Sequence, residues 1–367
     1  MCRSFRKAFL DIWLLAFCAP LAFAQAPASQ LRAHSLVEVK IHSPALEGNK
    51  LGDPPDQKVL IYLPPSYASS TERRFATLYL LHGSTARPEI WTDGDFQGMN
   101  LSTSMDQLIA AGIAREMIVV MPNGSNKYLS SFYTNSIVTG NWEDYIVRDV
   151  VNYVDNHYRT LARPASRGIA GHSMGGYGSL MLSMKHPDIF GAVYALSPCC
   201  VAMKADVTSE NPAWHSALAA QASGKLFLPP HGLPQFFATA FIAMGAAWSP
   251  NPQRGPPYAD LPYREEGNSL VVKESVLERW KEHMPLYVAE HNKESLLQLR
   301  GICLGYGYQD EFSHIPIAVR LFSEELAQLR VPHTVVSFRG DHTERTRERF
   351  ETAVVPFFSR VLEIGDK

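Results

Sequence analysis

The stretch Gly171-His172-Ser173-Met174-Gly175 constrains the fold more than any other part of the chain. It is a Gly-x-Ser-x-Gly pattern, set between a short apolar run, Gly168–Ala170, and a helix-like apolar pattern, Tyr177–Met184. That order calls for a sharp strand-to-helix turn with a serine at its apex. Gly171 and Gly175 leave room where a side chain would collide across the bend. A serine hydroxyl is a weak nucleophile by itself. It needs exposure on such a turn, a histidine to take its proton and donors for the oxyanion. Ser173 is therefore the candidate nucleophile, and the backbone N–H of Met174 the first candidate oxyanion donor.

The surrounding pattern supplies the frame such a turn needs. Strand-like and helix-like runs alternate, which predicts an α/β fold: a mostly parallel sheet with helices on both faces. Leu36–Ile41 and Val59–Leu63 read as opening strands, and Ala76–Leu81 and Met117–Met121 as buried ones. Leu101–Ala111 reads as a helix ended by Gly112, and Glu143–Tyr158 as a second helix. Phe190–Leu196 returns as strand. Residues 201–268 break the rhythm with Pro229-Pro230, Pro250, Pro252, Pro256-Pro257 and Pro262, and read as an irregular or helical insertion. Regularity resumes with a helical pattern over Lys273–Leu299. A strand at Gly301–Leu304, a helix at Ile315–Leu329 and a strand at Thr334–Phe338 follow. The last helix, Thr346–Leu362, is expected to kink at Pro356. The organisation expected is a signal peptide over 1–24 and a single domain over 25–367 with an insertion or cap at about 201–299. A mobile lid in that insertion would imply interfacial activation.

The signal peptide rests on Arg3, Arg6 and Lys7, the apolar run from Phe9 to Phe23 (interrupted by Asp11) and the Ala22-Phe23-Ala24 cleavage pattern. It implies a secreted or periplasmic protein. No later apolar run reaches the length of a membrane span, so no stable membrane insertion is expected. Without residues 1–24 the charge balance is 31 basic to 35 acidic side chains. That balance argues against a nucleic-acid partner. Of five cysteines, Cys199, Cys200 and Cys303 lie beyond the signal. A bridge between adjacent Cys199 and Cys200 would be strained. All three are expected to be buried, with Cys303 in a core strand. No His, Cys, Asp or Glu cluster has metal-ligand spacing, so neither a metal nor another cofactor is expected. No feature specifies an oligomeric state.

Ser173 needs an acid and a histidine. The loop after the strand at Gly301–Leu304 carries Asp310, and the loop after Thr334–Phe338 carries His342. Both fall at the carboxyl ends of strands, where open α/β sheets place their sites. His342 would take the Ser173 proton and return one to the leaving group, while Asp310 would fix the imidazole tautomer. Asp310 could instead cap the following helix, and Glu311 and Asp341 are the rival acids. His314, close to Asp310, could line the pocket, but a solvated place on its helix is the stronger expectation. His172 is expected to pack rather than act as a base. For the second oxyanion donor, His82-Gly83-Ser84 ends a buried strand, and the N–H of Ser84 is the candidate. The alternative is a plain strand-ending turn. Trp91 would either wall the pocket or cover the sheet edge.

Six segments, the opening motif among them, carry a resemblance. They are Leu80-Leu81-His82-Gly83, Met121-Pro122-Asn123-Gly124, Gly140-Asn141-Trp142-Glu143-Asp144-Tyr145, Gly171 through Gly178, Leu196-Ser197-Pro198 and Gly340-Asp341-His342. The chain resembles the esterase D-type branch of the α/β hydrolases over about 36–200 and 300–362. That branch includes S-formylglutathione hydrolases, feruloyl and acetylxylan esterases and mycolyltransferases. The resemblance implies an α/β-hydrolase fold with Ser173 as nucleophile, Asp310 as acid, His342 as base and the N–H groups of Ser84 and Met174 as oxyanion donors. It implies hydrolysis of a small-molecule or carbohydrate ester through an acyl-enzyme, feruloyl and acetyl esters among the candidates. The readings that compete are acyl transfer to a sugar acceptor and a non-catalytic carbohydrate-binding protein on the same fold. Residues 201–299 depart from the compact members, so the acyl and alcohol parts are left open.

Overall fold

A computed structural model describes residues 35–365 except 227 and 268. The expected signal peptide lies outside the described residues. Eight strands form one sheet: β1 (Ser35–His42), β2 (Asp56–Leu63), β3 (Ala76–Leu81), β4 (Met117–Pro122), β5 (Arg167–His172), β6 (Ala192–Leu196), β7 (Gly301–Gly307) and β8 (Thr334–Phe338). Their order in space is β1-β2-β4-β3-β5-β6-β7-β8. The first two strands join antiparallel and the remaining six run parallel. This is the α/β-hydrolase fold. The interior strands β3, β4, β5 and β6 are buried at every residue. Such strands are covered on both faces, which is why they read as continuous apolar runs rather than alternating ones. Two apolar clusters occupy the two faces, one around Trp142, Tyr145 and Tyr177, the other around Trp91, Met105 and Phe358. Trp91 packs in the second cluster against Phe96, so it covers the sheet and Phe96 faces the site.

Three segments differ from the sequence reading. Of the two readings of the insertion the helical one holds, with a ribbon the pattern did not suggest: a helix at Ala213–Ser223, a 17-residue helix at Gly232–Trp248 and two short strands, Tyr263–Glu266 with Ser269–Val272. The longer helix is apolar all round and is buried at every residue from Phe237 to Trp248. A helix buried on all faces has no polar stripe to betray its period. The long helical pattern at 273–299 is broken into Glu274–Lys281, Pro285–Val288 and Lys293–Gln298. Pro285 opens the second piece, where its missing N–H is harmless but continuation from the first is blocked. In the last helix a wide π-turn, Phe350–Val354, precedes Pro356 at the start of Val355–Val361. The expected kink is thus taken up by overwide turns just before the proline. Among the described residues no helix is long and apolar enough to cross a membrane.

Candidate active site

The turn after β5 has the geometry its sequence calls for. Ser173 sits at φ 58°, ψ −119°, a strained conformation for a residue with a side chain. Three hydrogen bonds hold it there. Its N–H donates to Leu196 O (2.9 Å), and its carbonyl accepts from Tyr177 N–H (3.0 Å) and Cys199 N–H (3.2 Å). The glycines are close-approach points. A Cβ on Gly171 would lie 2.3 Å from the Gly175 carbonyl, and one on Gly175 would lie 2.2 Å from Leu81 O. The helix Met174–Lys185 therefore starts directly against β3 and β5, and Ser173 is left half-buried at the sheet's carboxyl edge.

Asp310 and His342 come together through the ends of β7 and β8. Tyr308 N–H donates to Phe338 O (3.0 Å) and Gln309 N–H to Gly340 O (3.1 Å), which zips the two loops in register. His342 Nδ1 then lies 2.9 Å from Asp310 Oδ2, with the Asp310 side chain fully buried. The rival acids are engaged elsewhere. Glu311 Oε2 accepts the backbone N–H of His342 (3.0 Å), and Asp341 Oδ1 accepts the N–H groups of Thr343 and Glu344. Asp310 does act on the local turn as well, through Phe312 N–H to Oδ1 (3.0 Å). That leaves its other oxygen for the histidine.

Burial pushes the His342 imidazole down to about 3, so the ring is neutral with a lone pair on Nε2. The same burial pushes the Asp310 carboxyl up to about 7, against the pull of the Phe312 N–H. The pair resists carrying charge at rest and would be relieved by a charge of opposite sign placed nearby.

His172 is buried and its Nε2 lies 2.9 Å from His342 O. The ring donates to that carbonyl, which ties the histidine loop to the serine turn. Burial holds His172 well below its ordinary value, so it is a neutral strut and not a base. His82 does the same for the loop after β3. Its Nε2 accepts Gly124 N–H (2.8 Å), its Nδ1 donates to Gly83 O (2.8 Å), and Tyr133 Oη donates to its carbonyl (2.9 Å). A Cβ on Gly83 would lie 3.2 Å from Ser173 Cβ, so this loop passes directly over the serine. Among the described residues, neither the Ser84 nor the Met174 N–H donates to another residue.

Two cavities meet at Ser173. An open one is lined by Gly83, Ser84, Phe96, His172, Ser173, Phe236 and His342. A narrow apolar slot is lined by Ser84, Ser173, Phe132, Cys199, Cys200, Phe236, Phe237, Met244, Phe312 and His314. Cys199, Cys200 and Cys303 are free thiols, all buried, with Cys303 in β7 as the pattern implied. His314, expected in solvent, is buried instead and bonded to Asp206. The sequence reading also missed Phe236, Phe237 and Met244, because they lie on the all-apolar helix. Among the described residues no group of three or more His, Cys, Asp or Glu side chains is gathered as a metal site.

The chain is similar to known proteins at three levels. It is 31% identical over 132 residues to the esterase MT1326 of Mycobacterium tuberculosis, covering 35% of this chain and 26% of that one. It is 28% identical over 138 residues to an endo-1,4-beta-xylanase/feruloyl esterase of Xylanibacter ruminicola, covering 37% and 18%. The matches thus span about a quarter or less of those relatives. Among solved structures it resembles a ferulic acid esterase (TM-score 0.60, 21% identity, 90% of this chain and 99% of that one). It also resembles an S-formylglutathione hydrolase of Staphylococcus aureus (0.54, 18%, 90% and 99%). These structures share its fold. The model of the family described as "Putative esterase" matches residues 53–354, and the chain belongs to that esterase family.

Proposed function

We propose that this chain is an exported serine esterase that hydrolyses carboxylic esters through an acyl-enzyme on Ser173. The observation that carries the reading is the buried 2.9 Å contact between His342 Nδ1 and Asp310 at a cavity whose wall His342 shares with Ser173. Neutral His342 takes the Ser173 proton as Oγ attacks the ester carbonyl. The imidazolium that forms is the opposite charge the Asp310 carboxylate lacks at rest, so the pair is stabilised as the transition state develops. The N–H groups of Ser84 and Met174 stand ready for the oxyanion. His342 faces the open cavity, so the alcohol leaves there with the returned proton, and the acyl group occupies the apolar slot. Water then enters from the open side and repeats the sequence in reverse.

Export is supported by the charged, apolar and Ala-x-Ala pattern of residues 1–24. Esters of carbohydrates, feruloyl or acetyl, are the proposed substrates; a relative from Xylanibacter ruminicola is named a feruloyl esterase, and an exported enzyme meets such polymers. The test is covalent labelling by an organophosphonate. One adduct on Ser173 of the folded protein is expected, lost in Ser173→Ala. No adduct on folded wild-type protein would sink the esterase mechanism.

A further inference from the structure

Two thiols stand side by side on the wall of the slot, and the mechanism uses neither. Cys199 and Cys200 are buried, and both line the slot with Ser173. In an extended chain adjacent side chains point to opposite faces. Here the backbone of Cys200 takes φ 58°, a left-handed conformation uncommon for a residue with a side chain. With that turn the two sulfurs share one side, and Cys200 Sγ donates to Cys199 Sγ at 2.8 Å. The separation is about 0.8 Å longer than an S–S bond. Cys303 is the contrast: it lies in β7 within the other apolar cluster and does not line the slot.

The two sulfurs are not equivalent. Burial pushes the Cys200 thiol up, and its bond to Cys199 adds to the shift, so Cys200 keeps its proton and donates it. Cys199 receives that S–H and is the better nucleophile of the two. Cys199 also touches the serine turn. Its N–H donates to the Ser173 carbonyl (3.2 Å), one of the three bonds that hold the serine. Bridged cysteines ordinarily have Cα atoms about 4.4 Å or more apart, whereas neighbours across a trans peptide are about 3.8 Å apart. A link between Cys199 and Cys200 therefore has to shift the backbone there, and that movement reaches Ser173 through a single hydrogen bond.

We infer that Cys199 and Cys200 form a modification site, at which a small hydroperoxide closes a reversible disulfide on the slot wall and so loosens the serine turn. The cross-link goes beyond the esterase reading and does not depend on it; only its effect on turnover does. A narrow slot suits an oxidant the size of hydrogen peroxide rather than a bulky disulfide. The Cys199 sulfur attacks one peroxide oxygen: the S–O bond forms, the O–O bond breaks, and the released hydroxide leaves as water with the Cys199 proton. The Cys200 sulfur then attacks the sulfenic sulfur of Cys199: the S–S bond forms, the S–O bond breaks, and a second water carries off the Cys200 proton. Together the two thiols lose two electrons and two protons, and one hydrogen peroxide is reduced to two waters. A bridge between neighbours is strained, so exchange with a small dithiol reopens it.

The experiment exposes the full chain, reduced with dithiothreitol and then freed of it, to increasing hydrogen peroxide. Intact mass with peptide mapping is followed beside kcat/KM for 4-nitrophenyl butyrate. Wild-type protein is expected to lose the mass of two hydrogens, with the link mapped between Cys199 and Cys200. It is expected to lose about fivefold or more in kcat/KM, the worth of one lost hydrogen bond. Dithiothreitol is expected to restore both. Cys200→Ser is expected to gain oxygen on Cys199 in place of the link, and Cys303→Ala to form the link as wild type does. If neither variant folds, the mapped mass change of wild-type protein decides the matter. Both thiols intact in peroxide, oxygen gained by wild type without a link, or a link to any other cysteine overturns the inference. A Cys199–Cys200 link that leaves kcat/KM unchanged overturns its hold on the serine turn. Failure of the esterase reading looks different: the link forms, but the reduced protein cleaves no ester and takes no phosphonate adduct.

Discussion

At the carboxyl edge of β5, β7 and β8, every candidate catalytic group is held by directional bonds: Ser173 by three backbone bonds, His342 by Asp310, Glu311 and His172. Across the slot, on the helix Gly232–Trp248, Phe236, Phe237 and Met244 are held by ring and side-chain packing, as in the Phe236–Phe312 contact at 5.4 Å. Hydrogen bonds fix positions to fractions of an ångström, whereas apolar packing tolerates exchange of one shape for another of similar volume. The edge therefore defines a chemistry and the helix a size. The Asp206–His314 pair is the place where directional bonding reaches the wall of the slot from the insertion.

The sharpest way to break this division is to remove the chemistry. Ser173→Ala and His342→Ala are each expected to lose at least about a thousandfold in kcat while keeping the fold. Asp310→Asn is expected to fall in the same range, because the amide favours the wrong imidazole tautomer. Steady-state kinetics with a soluble ester checks all three. If His342→Ala stays near wild type, the assignment of the edge is wrong.

A second test addresses how the edge is held together. Burial lowers His82 to about 4, and the ring stays neutral in the fold. The unfolded chain, with an ordinary histidine near 6.5, binds the extra proton between those two values. Stability contributed by His82 is thus complete above about pH 6.5 and lost as pH falls toward 4, by up to about 3 kcal/mol. His172 and His342 add in the same direction, and Asp310, raised to about 7, opposes them. Urea unfolding between pH 4 and 7 should show stability falling with acid. The slope should be shallower by one proton in His82→Gln, whose amide oxygen can still accept Gly124 N–H. An unchanged slope would mean that His82 is not the neutral strut of the Ser84 loop.

The contrast also explains what the sequence discloses. The turn at Ser173, the Ser84 loop and the two loops that bring Asp310 to His342 were legible because each follows a strand-like run, continuous and buried at Ala76–Leu81, and because glycines stand where backbones must touch. The eight-stranded sheet was legible for the same reason. The bounds of the covering helix were not. Its apolar residues surround the axis, so neither alternation nor a 3.6-residue stripe appears, and the flanking prolines read as loop. His314 misled differently: a histidine at a helix start is ordinarily solvated, and the partner of its buried ring, Asp206, lies 108 positions earlier. Separation of that kind leaves no local trace.

A third test moves to the covering side. Phe237→Ala or Met244→Ala removes bulk from the slot without touching a hydrogen bond of the edge. Longer or wider acyl groups are expected to gain up to about tenfold in kcat/KM relative to acetyl, the worth of roughly one methylene's fit. A panel of 4-nitrophenyl esters of increasing acyl length reads the shift in optimum. If the optimum stays where it is, the acyl group does not lie against this helix, and the slot belongs to the alcohol.

The smallest effect is expected where the edge has a spare carboxylate. Glu311 adjoins Asp310 and reaches the same histidine, yet it meets the backbone N–H of His342 and not the ring. Its task is to seat the loop. Glu311→Gln keeps an oxygen that can accept that N–H, and it removes a charge that favours protonation of His342. A loss of less than about tenfold in kcat is expected, a change of roughly 1 kcal/mol in a bond to a charged acceptor. Removing the charge also lowers the affinity of His342 for a proton, so the acid limb of kcat/KM should move to lower pH. A loss as large as that of Asp310→Asn would make Glu311 a second catalytic acid. No movement of the acid limb would show that Glu311 acts on the loop alone and is electrically silent at the ring.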